Sequence, residues 1–268
     1  MARGKTVVLT GAGISTDSGI PDYRGEGAPH RTPMTIHQFL GSHAARQRYW
    51  AGSHLGWRRF TAASPNPGHR TLAELEADGF LTGVITQNVD ELHTQAGTRR
   101  QVELHGSVTQ VLCLTCGQAF ARQSISARIE ATNPWLREPD AVVIAPDGDA
   151  EVAAVADFVV PVCTVCGGML KPDVVFFGEF VPTQRFIEAT ALVSQADAML
   201  IAGSSLVVNS GIRLLEQARR RRMPVIIINR GVTKGDDRAT IKLDTGTSQA
   251  LKALAELVHT HGDRREVT

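Results

Sequence analysis

The stretch that decides the fold is KTVVLTGAGISTDSGIPDYRG, residues 5–25. Its first part, 6–10, is a short apolar run typical of a buried strand in a sheet covered on both faces. Glycines follow at positions 11, 13 and 19, where they allow backbone N–H groups to approach an anion, and a helix beginning there would add its positive end. The stretch predicts a strand followed by a pyrophosphate-binding turn. An ordinary tight strand-to-helix turn also fits, because residue 16 is Thr and the full G-x-G-x-x-G pattern is not met.

Further short apolar runs follow along the chain, separated by segments with helical periodicity. They cover residues 81–86, 102–106, 174–178, 198–203, 225–229 and 241–243. This alternation predicts an α/β fold with a Rossmann-like, doubly wound parallel sheet. Such sheets bind ligands at the carboxyl ends of their strands, so polar residues just after the apolar runs are candidates for one crevice. These residues are Asn88, Asp90, Ser204, Ser205 and Asn229.

Composition narrows the class of protein. The chain has 268 residues and a formal charge of +1, which gives no reason to expect nucleic acid or a membrane surface as a partner. The run Arg219–Arg222 is interpreted as a solvated helix end. The apolar runs are shorter than the ~20 residues of a membrane helix, and the first strand leaves no room for a signal peptide. We expect a cytoplasmic protein that binds neither nucleic acid nor membrane.

Four cysteines form two C-x-x-C pairs, Cys113 with Cys116 and Cys163 with Cys166. Paired in this way in an intracellular protein, they indicate four thiolates around Zn²⁺. Such a site is structural, since four cysteines leave no open position for water. The alternative is one redox-active C-x-x-C and a coincidental second pair. Residues 117–162 separate the pairs, far more than the ~15–20 of a compact ribbon, so a long insertion is expected between them.

The same patterns predict two domains. Residues 31–79 contain no strong strand, and their apolar residues recur at helical intervals that indicate two or three short helices before a breaker at 64–68. We expect a Rossmann domain built from residues 1–30, 80–107 and 174–268. A smaller domain is expected to combine a helical module, 31–79, with a four-cysteine zinc module, 108–173.

Several motifs occur together in the order found in the sirtuins, which the chain resembles over nearly its whole length. They are residues 11–15 with 19–24, 86–90, 104–106, the cysteine pairs, 171–179 and 203–205. Four details resemble class II sirtuins, a group that includes the mitochondrial sirtuin 4 of animals. They are residues 46–50, residues 64–67, residues 145–149 and the wide cysteine spacing.

This resemblance implies NAD-dependent deacylation of lysine in acyl-lysine-bearing proteins, with NAD as co-substrate and one structural Zn²⁺ per chain. In the family, the acyl oxygen attacks C1′ of the nicotinamide ribose, nicotinamide leaves, and a histidine then acts as general base on a ribose hydroxyl. The products are free lysine, nicotinamide and an O-acyl-ADP-ribose. The matching base here is His105, whose imidazole can accept a proton near neutral pH. Without the motif, a single histidine at a strand end would be taken as structural.

The resemblance also implies the remaining site residues. Asn88 and Asp90 join His105 as catalytic residues, and Val175 and Phe177 match the walls of the acyl-lysine tunnel, although both also fit an ordinary core. The implied cofactor-binding residues are Gly11, Ala12, Gly13, Ser15, Asp22, Tyr23, Arg24, Gln87, Asn88, Val89, Asp90, Gly203, Ser204, Ser205, Asn229, Arg230, Gly231 and Thr247.

Two alternatives use the same NAD site. One is a protein mono-ADP-ribosyltransferase, which would pass ADP-ribose to a protein side chain. The other is a non-catalytic NAD-sensing module, which would have no need of a base such as His105. Sirtuins that remove succinyl or malonyl groups carry Tyr-x-x-Arg, whereas Tyr49 is followed here by Gly52 at the matching position, which disfavours a dicarboxylic acyl substrate.

Overall fold

Six parallel strands form the large sheet of the fold. The structure is a computed structural model, and it describes residues 5–23, 33–136 and 155–263. The strands within these ranges are β1 (Thr6–Thr10), β2 (Leu81–Thr86), β3 (Gln101–Glu103), β4 (Gly106–Cys113), β5 (Ala119–Ala121), β6 (Leu170–Val174), β7 (Ala198–Ala202), β8 (Val225–Ile228) and β9 (Ile241–Leu243). The large sheet has the order β3-β2-β1-β7-β8-β9, which is the strand order of a Rossmann fold. The predicted α/β class is confirmed.

Helices cover both faces of this sheet. The helices within the described ranges are α1 (Ile36–Gly41), α2 (His43–Ala62), α3 (Pro67–Ala77), α4 (Leu92–Ala96), α5 (Arg122–Thr132), α6 (Thr183–Ser194), α7 (Asn209–Arg220) and α8 (Thr247–Asp263). Of these, α6 and α7 cover one face of the large sheet, and α3 and α8 cover the other. Because successive strand residues point to opposite faces, Val7 and Leu9 pack with residues of α6 and α7. Val8 packs on the other face with Leu72 of α3 and Leu251 of α8. Both cores are apolar, which explains the continuous apolar strands in the sequence.

A second, antiparallel sheet has the order β5-β4-β6 and lies next to the cysteine pairs. Its apolar side chains share a core with the helices that precede and follow it. Val111 of β4 and Leu170 of β6 pack in this core with Phe39 of α1, Trp50 of α2 and Ile125 of α5. The zinc module and the helical module therefore share one hydrophobic core.

Three predicted elements differ from the structure. The strand predicted at 102–106 ends at Glu103, so His105 lies in the turn between β3 and β4. The segment before the breaker contains two helices, within the predicted two or three, but α2 is 20 residues long and therefore not short. The strand predicted at 174–178 instead ends at Val174. Lys171 explains this end, because its buried Nζ donates to the carbonyl of Val174 at 2.6 Å and pairs with Glu179 at 3.1 Å. These contacts hold the following residues in a loop, since a backbone carbonyl bonded to an ammonium group is withdrawn from the strand ladder.

Part of the sequence interpretation falls outside the described residues. Arg24 is one such residue, and the turn predicted at 145–149 is another such segment. Within the described ranges, no helix has the length and apolar character needed to cross a bilayer.

Candidate functional site

A cleft of about 1490 Å³ opens at the carboxyl ends of the strands in the large sheet. Most of the residues proposed from the sequence lie on its wall. They are Gly11, Ala12, Gly13, Asp22, Tyr23, Gln87, Asn88, Val89, His105, Val175, Phe177, Gly203, Ser204, Ser205, Asn229, Arg230, Gly231 and Thr247. Ser15 and Asp90 lie behind this wall, with 1% and 6% of their surfaces exposed. The cleft therefore brings together residues from across the sequence, as expected at the switch point of such a sheet.

The turn after β1 is made of two short 3₁₀ segments, Ala12–Ile14 and Thr16–Ser18, in place of an α-helix. Its glycines allow close contact with the segment after β7. A Cβ on Gly13 would lie 2.9 Å from the Cα of Gly203, and the N–H of Gly13 donates to the Gly203 carbonyl at 2.8 Å. The N–H of Gly11 likewise donates to Ala202. These two donors hold the strand ends together, so they are not available as a phosphate cradle.

Gly203→Ala is expected to destabilise the fold strongly. Gly203 has φ +69°, and a Cβ there would overlap the backbone nitrogen of Ile14 and lie 2.5 Å from the carbonyl carbon of Gly13. Both neighbours are backbone atoms that cannot move without separating β1 from β7, so we expect a loss of about 2–4 kcal/mol in the free energy of unfolding. Urea denaturation measures it.

Gly97→Ala is the matched control for this prediction. Gly97 also has a positive φ, +98°, but a Cβ there would meet no atom within 4 Å. Only the backbone cost of about 1 kcal/mol is expected. If both variants lose the same stability, the close approach of the strand ends does not explain why residue 203 is glycine.

Behind the cleft wall, Asp90 holds Asn88 and Ser15 in place. Its Oδ2 accepts from the Ser15 hydroxyl at 2.6 Å and from the Asn88 amide at 3.2 Å, and its Oδ1 accepts from the N–H of Leu92 at 3.0 Å. Burial raises the pKa of Asp90, against these hydrogen bonds, which lower it. Asn88 reaches the cleft from this support.

Two buried histidines extend the polar network below the turn. His69 Nε2 lies 3.4 Å from the Ser15 hydroxyl, and His93 Nε2 lies 2.9 Å from the hydroxyl of Thr10. Burial lowers the pKa of His69 to about 4 and that of His93 well below its usual value, so both are neutral at pH 7. Asn66 caps α3 and donates to the carbonyl of Ile14 at 2.7 Å. Sequence reasoning read residues 64–68 only as a breaker, although Asn followed three residues later by His is a capping signal.

His105 follows β3 and is held through both ring nitrogens. Nδ1 lies 2.9 Å from the backbone carbonyl of Gln87, and Nε2 lies 2.9 Å from the hydroxyl of Ser210. A carbonyl only accepts, so Nδ1 carries the hydrogen and Nε2 presents its lone pair. Burial lowers the pKa of His105 to about 4; the Gln87 hydrogen bond opposes this shift, and the Arg185 guanidinium contributes to it. The imidazole is therefore neutral at pH 7 and has a lone pair that can accept a proton.

Gln87 connects His105 to the segment after β7. Its side-chain Oε1 accepts from the Ser204 hydroxyl at 2.6 Å, and its backbone N–H donates to Thr10 at 2.9 Å. Ser204 Oγ also accepts from the N–H of Leu206 at 3.2 Å, a local turn in the loop before α7. Ser210, which completes the set around His105, was missed in the sequence because a serine in the first turn of a helix is ordinary.

Aromatic rings form the other half of the cleft. Phe177 is 38% exposed, which excludes the plain core interpretation for this residue, and its ring meets that of Tyr23 edge-on at 6.1 Å. Phe176 lies beneath, with its ring centroid 4.9 Å from that of Tyr49. Val175 is half-buried, and its N–H donates to the His105 carbonyl at 2.8 Å. This apolar wall lies beside the imidazole, so the cleft combines a base with a binding surface for an apolar chain.

The far end of the cleft is polar. Thr247 begins α8, and its hydroxyl donates to the Gly13 carbonyl at 3.4 Å. Asn229 follows β8, and its side-chain amide donates to the Arg230 carbonyl at 2.6 Å. The N–H of Gly231 is held by Asp244 at 2.9 Å. Hydroxyl, amide and guanidinium groups at this end suit a polar, anionic part of a ligand.

The four cysteines form one cluster, and all their sulfur atoms lie within 4.8 Å of one another. Cys113 Sγ is 3.5 Å from Cys166 Sγ, and Cys116 Sγ is 3.8 Å from Cys163 Sγ. Tetrahedral Zn²⁺ with bonds of about 2.3 Å to sulfur places its ligands roughly 3.8 Å apart, so the cluster fits the ion. The cysteine positions are those predicted, and the cluster lies in the small-sheet module, away from the cleft.

Comparison with known proteins agrees with this geometry. The Sir2 family model matches residues 11–210. The chain is 51% identical to NAD-dependent protein deacetylase 1 of Mycobacterium avium, over 96% of this chain and 92% of that protein. It is 44% identical to the mitochondrial NAD-dependent protein lipoamidase sirtuin-4 of Bos taurus, over 92% of this chain and 80% of that protein. A solved structure described as Sir2 with p53 peptide and NAD⁺ matches with a TM-score of 0.78 and 33% identity, over 96% of this chain and 94% of that chain.

Proposed function

The chain belongs to the Sir2 family and is an NAD-dependent protein deacetylase, and we propose that His105 is the base of its reaction. The observation that carries this proposal is the hydrogen bond from His105 Nδ1 to the carbonyl of Gln87 at 2.9 Å. It fixes the tautomer in which Nε2 can accept a proton from a substrate hydroxyl. A general base of this kind needs a neutral ring at working pH, and the low pKa of His105, about 4, ensures it.

NAD is proposed to bind along the carboxyl edge of the large sheet. When bound, NAD supplies the nicotinamide leaving group and the ADP-ribose that receives the acyl group. Ser204, Ser205, Asn229, Arg230 and Thr247 line the polar end of the cleft, where hydroxyl and amide groups suit adenosine and its ribose. The remaining cofactor-binding residues named from the sequence line the cleft beside them, apart from Ser15 and Asp90 behind the wall and Arg24 outside the described residues.

Asn88 is proposed to contact the reacting end of NAD, and Asp90 to act as its support. Asn88 lines the cleft, and its amide is oriented by Ser15 at 3.0 Å and by Asp90 at 3.2 Å. Since both Asp90 oxygens already accept hydrogen bonds from Ser15, Asn88 and Leu92, we assign Asp90 a positioning role. This differs from the catalytic role that the resemblance implies for Asp90.

The acyl-lysine is proposed to enter between Val175 and Phe177 and to place its acyl end toward Tyr49 and Phe176. Structural neighbours of this chain are described with acetylated and p53 peptides, which supports an acetylated peptide as the substrate. The backbone after β6 leaves the small sheet at Val174, and the peptide is proposed to lie along it in extended form. Tyr49 contacts the rings of Phe39 and Phe176, which makes this end of the cleft aromatic and favours an uncharged acyl group.

Zinc is proposed to hold the small domain without taking part in the reaction, because all four ligand positions are filled by Cys113, Cys116, Cys163 and Cys166. We keep the proposed division into a Rossmann domain, 1–30, 80–107 and 174–268, and a small domain, 31–79 and 108–173, with one change. Leu72 and Leu75 of α3 pack with Val8 of the large sheet, which supports assigning α3 to the Rossmann domain.

Labelled NAD tests the proposed reaction against ADP-ribosyl transfer. The protein is incubated with an acetyl-lysine peptide and NAD labelled in its adenosine part. We expect the label in a small-molecule acyl-ADP-ribose in amounts equal to the free lysine formed, because the acyl group is transferred to ADP-ribose. Label that stays on protein would support the mono-ADP-ribosyltransferase instead, and bound but unconverted NAD would support the sensing module. The same incubation with unacetylated peptide is the control.

A further inference from the structure

Ser210 lies against the base that the proposed function assigns. It is the second residue of α7, 7% exposed, and its side chain lines the same cleft as His105. Its hydroxyl is 2.9 Å from His105 Nε2, the nitrogen left with a lone pair once Gln87 has fixed the tautomer. The hydroxyl therefore donates to Nε2 in the free protein.

Gly211 follows Ser210 and faces the side chain of Gln87. A Cβ on Gly211 would lie 3.0 Å from the side-chain nitrogen of Gln87 and 3.2 Å from the Leu206 side chain, so glycine leaves room there for these two side chains. The segment between β7 and α7 also contacts Gln87, through the Ser204 hydroxyl, which donates to Gln87 Oε1 at 2.6 Å. His105 is thus held on one nitrogen by Gln87 and on the other by Ser210, and the chain between β7 and α7 supports both partners.

We propose that Ser210 is a positioning residue for His105, which rests on the proposed role of His105 as the base. Its hydroxyl keeps the imidazole ring from rotating, so that Nε2 points at the place where a substrate hydroxyl meets it. In the free protein Oγ donates to the one lone pair of Nε2. When a substrate hydroxyl donates to that lone pair in its place, the Ser210 hydrogen turns away, and Oγ stays beside the ring to accept from Nε2–H once the proton has been transferred. The Gln87 carbonyl keeps its bond to Nδ1–H in both states. Partners that orient a functional histidine in this way typically matter for activity nearly as much as the histidine's own contacts.

Ser210→Ala tests the proposal. Alanine is smaller and a good helix former, so the helix is preserved and only the hydroxyl is removed. We expect kcat for deacetylation to fall about tenfold, as one lost hydrogen bond to the base would cause, with KM for NAD within about twofold. Ser210→Thr keeps the hydroxyl and is expected to restore most of kcat. Ser194→Ala, an exposed serine that bonds only to its own helix, is the control and is expected to match the wild type.

NMR of the protein without NAD supplies a readout that does not depend on activity. With ¹⁵N-labelled histidine at pH 7, the Nε2 resonance of His105 is expected to move in Ser210→Ala and to stay in place in Ser194→Ala. The Nδ1 resonance is expected to remain that of a protonated nitrogen, because Gln87 is unchanged. An unmoved Nε2 resonance, an unchanged kcat in Ser210→Ala, or a Thr variant no better than Ala would each overturn the positioning role.

These outcomes are separate from a failure of the proposed function. Full deacetylation by His105→Ala would show that His105 is not the base, whatever the resonances of Ser210→Ala show. Conversely, an inactive His105→Ala together with a fully active Ser210→Ala would support His105 as the base and overturn only the role of Ser210.

Discussion

His105→Ala is expected to lower kcat for deacetylation by about 10²–10⁴-fold, the usual contribution of a general base. The substitution removes the Nε2 lone pair, which Gln87 and Ser210 hold toward the cleft. NAD binding should change little, because the polar end of the cleft is built by other segments. Steady-state kinetics and calorimetric titration of NAD measure the two effects separately.

His259→Ala is the matched control for this loss. His259 lies on the surface of α8 and pairs with Asp78 at 2.9 Å, so its loss is expected to leave kcat unchanged. A His105→Ala protein with wild-type kcat would contradict the assigned base. A variant that fails to bind NAD would instead show that His105 holds the cleft together, and the His105→Gln variant, closer in size, tells the two cases apart.

Loss of zinc is expected to have the second large effect, on stability. Zinc in small zinc-finger peptides contributes apparent binding free energies of ~10–16 kcal/mol, and here the cluster joins β4 to the segment before β6. Removing the ion with a chelator, or replacing Cys113 by Ala, is expected to lower the midpoint of thermal unfolding by ~10 °C or more. Differential scanning calorimetry with a zinc assay on the same sample measures both quantities.

Val165→Ala serves as the control for the zinc prediction. Val165 lies between Cys163 and Cys166 and is 68% exposed, so the change alters the knuckle without removing a ligand. It is expected to keep one zinc per chain and the wild-type midpoint. Chelated protein that unfolds at the wild-type temperature would contradict a structural metal. A zinc-free sample that keeps its kcat per folded molecule agrees with a metal that takes no part in the reaction.

The large sheet was predictable because its physical signal is local. The run 198–202 is continuously apolar, and 81–86 contains only short threonines and a glycine among its apolar residues. All residues of both runs are buried except Ala198 at the start of β7, as expected for strands covered on both faces. The cysteine cluster was equally predictable, since two C-x-x-C pairs are a typical ligand set for Zn²⁺. The length of α2 was not predictable, because glycine and polar residues within it weaken the helical pattern that tertiary packing preserves.

The residues that line the cleft were easier to predict from the sequence than the buried residues that hold them in place. Ser15, Asp90 and His69 are hydrogen-bonded behind the cleft, and their partners are distant in sequence, so no spacing predicts the network. The sequence left two interpretations of the first turn open, a pyrophosphate-binding turn and an ordinary tight turn, and the structure shows that Gly11 and Gly13 let β1 and β7 meet. A G-x-G pattern indicates only that something approaches this backbone closely. It does not tell whether the second partner is a ligand or the protein's own backbone.

A crystal structure with NAD and an acetyl-lysine peptide tests the central assignment most directly, through one distance. Crystals of a catalytically slow variant such as Asn88→Ala would preserve the bound substrates. The account predicts a hydroxyl of the nicotinamide ribose within about 2.6–3.2 Å of His105 Nε2, with Nδ1 still bonded to the Gln87 carbonyl. A ribose whose hydroxyls all lie beyond hydrogen-bond reach of Nε2, or an imidazole turned so that Nε2 faces away from the cleft, would contradict it.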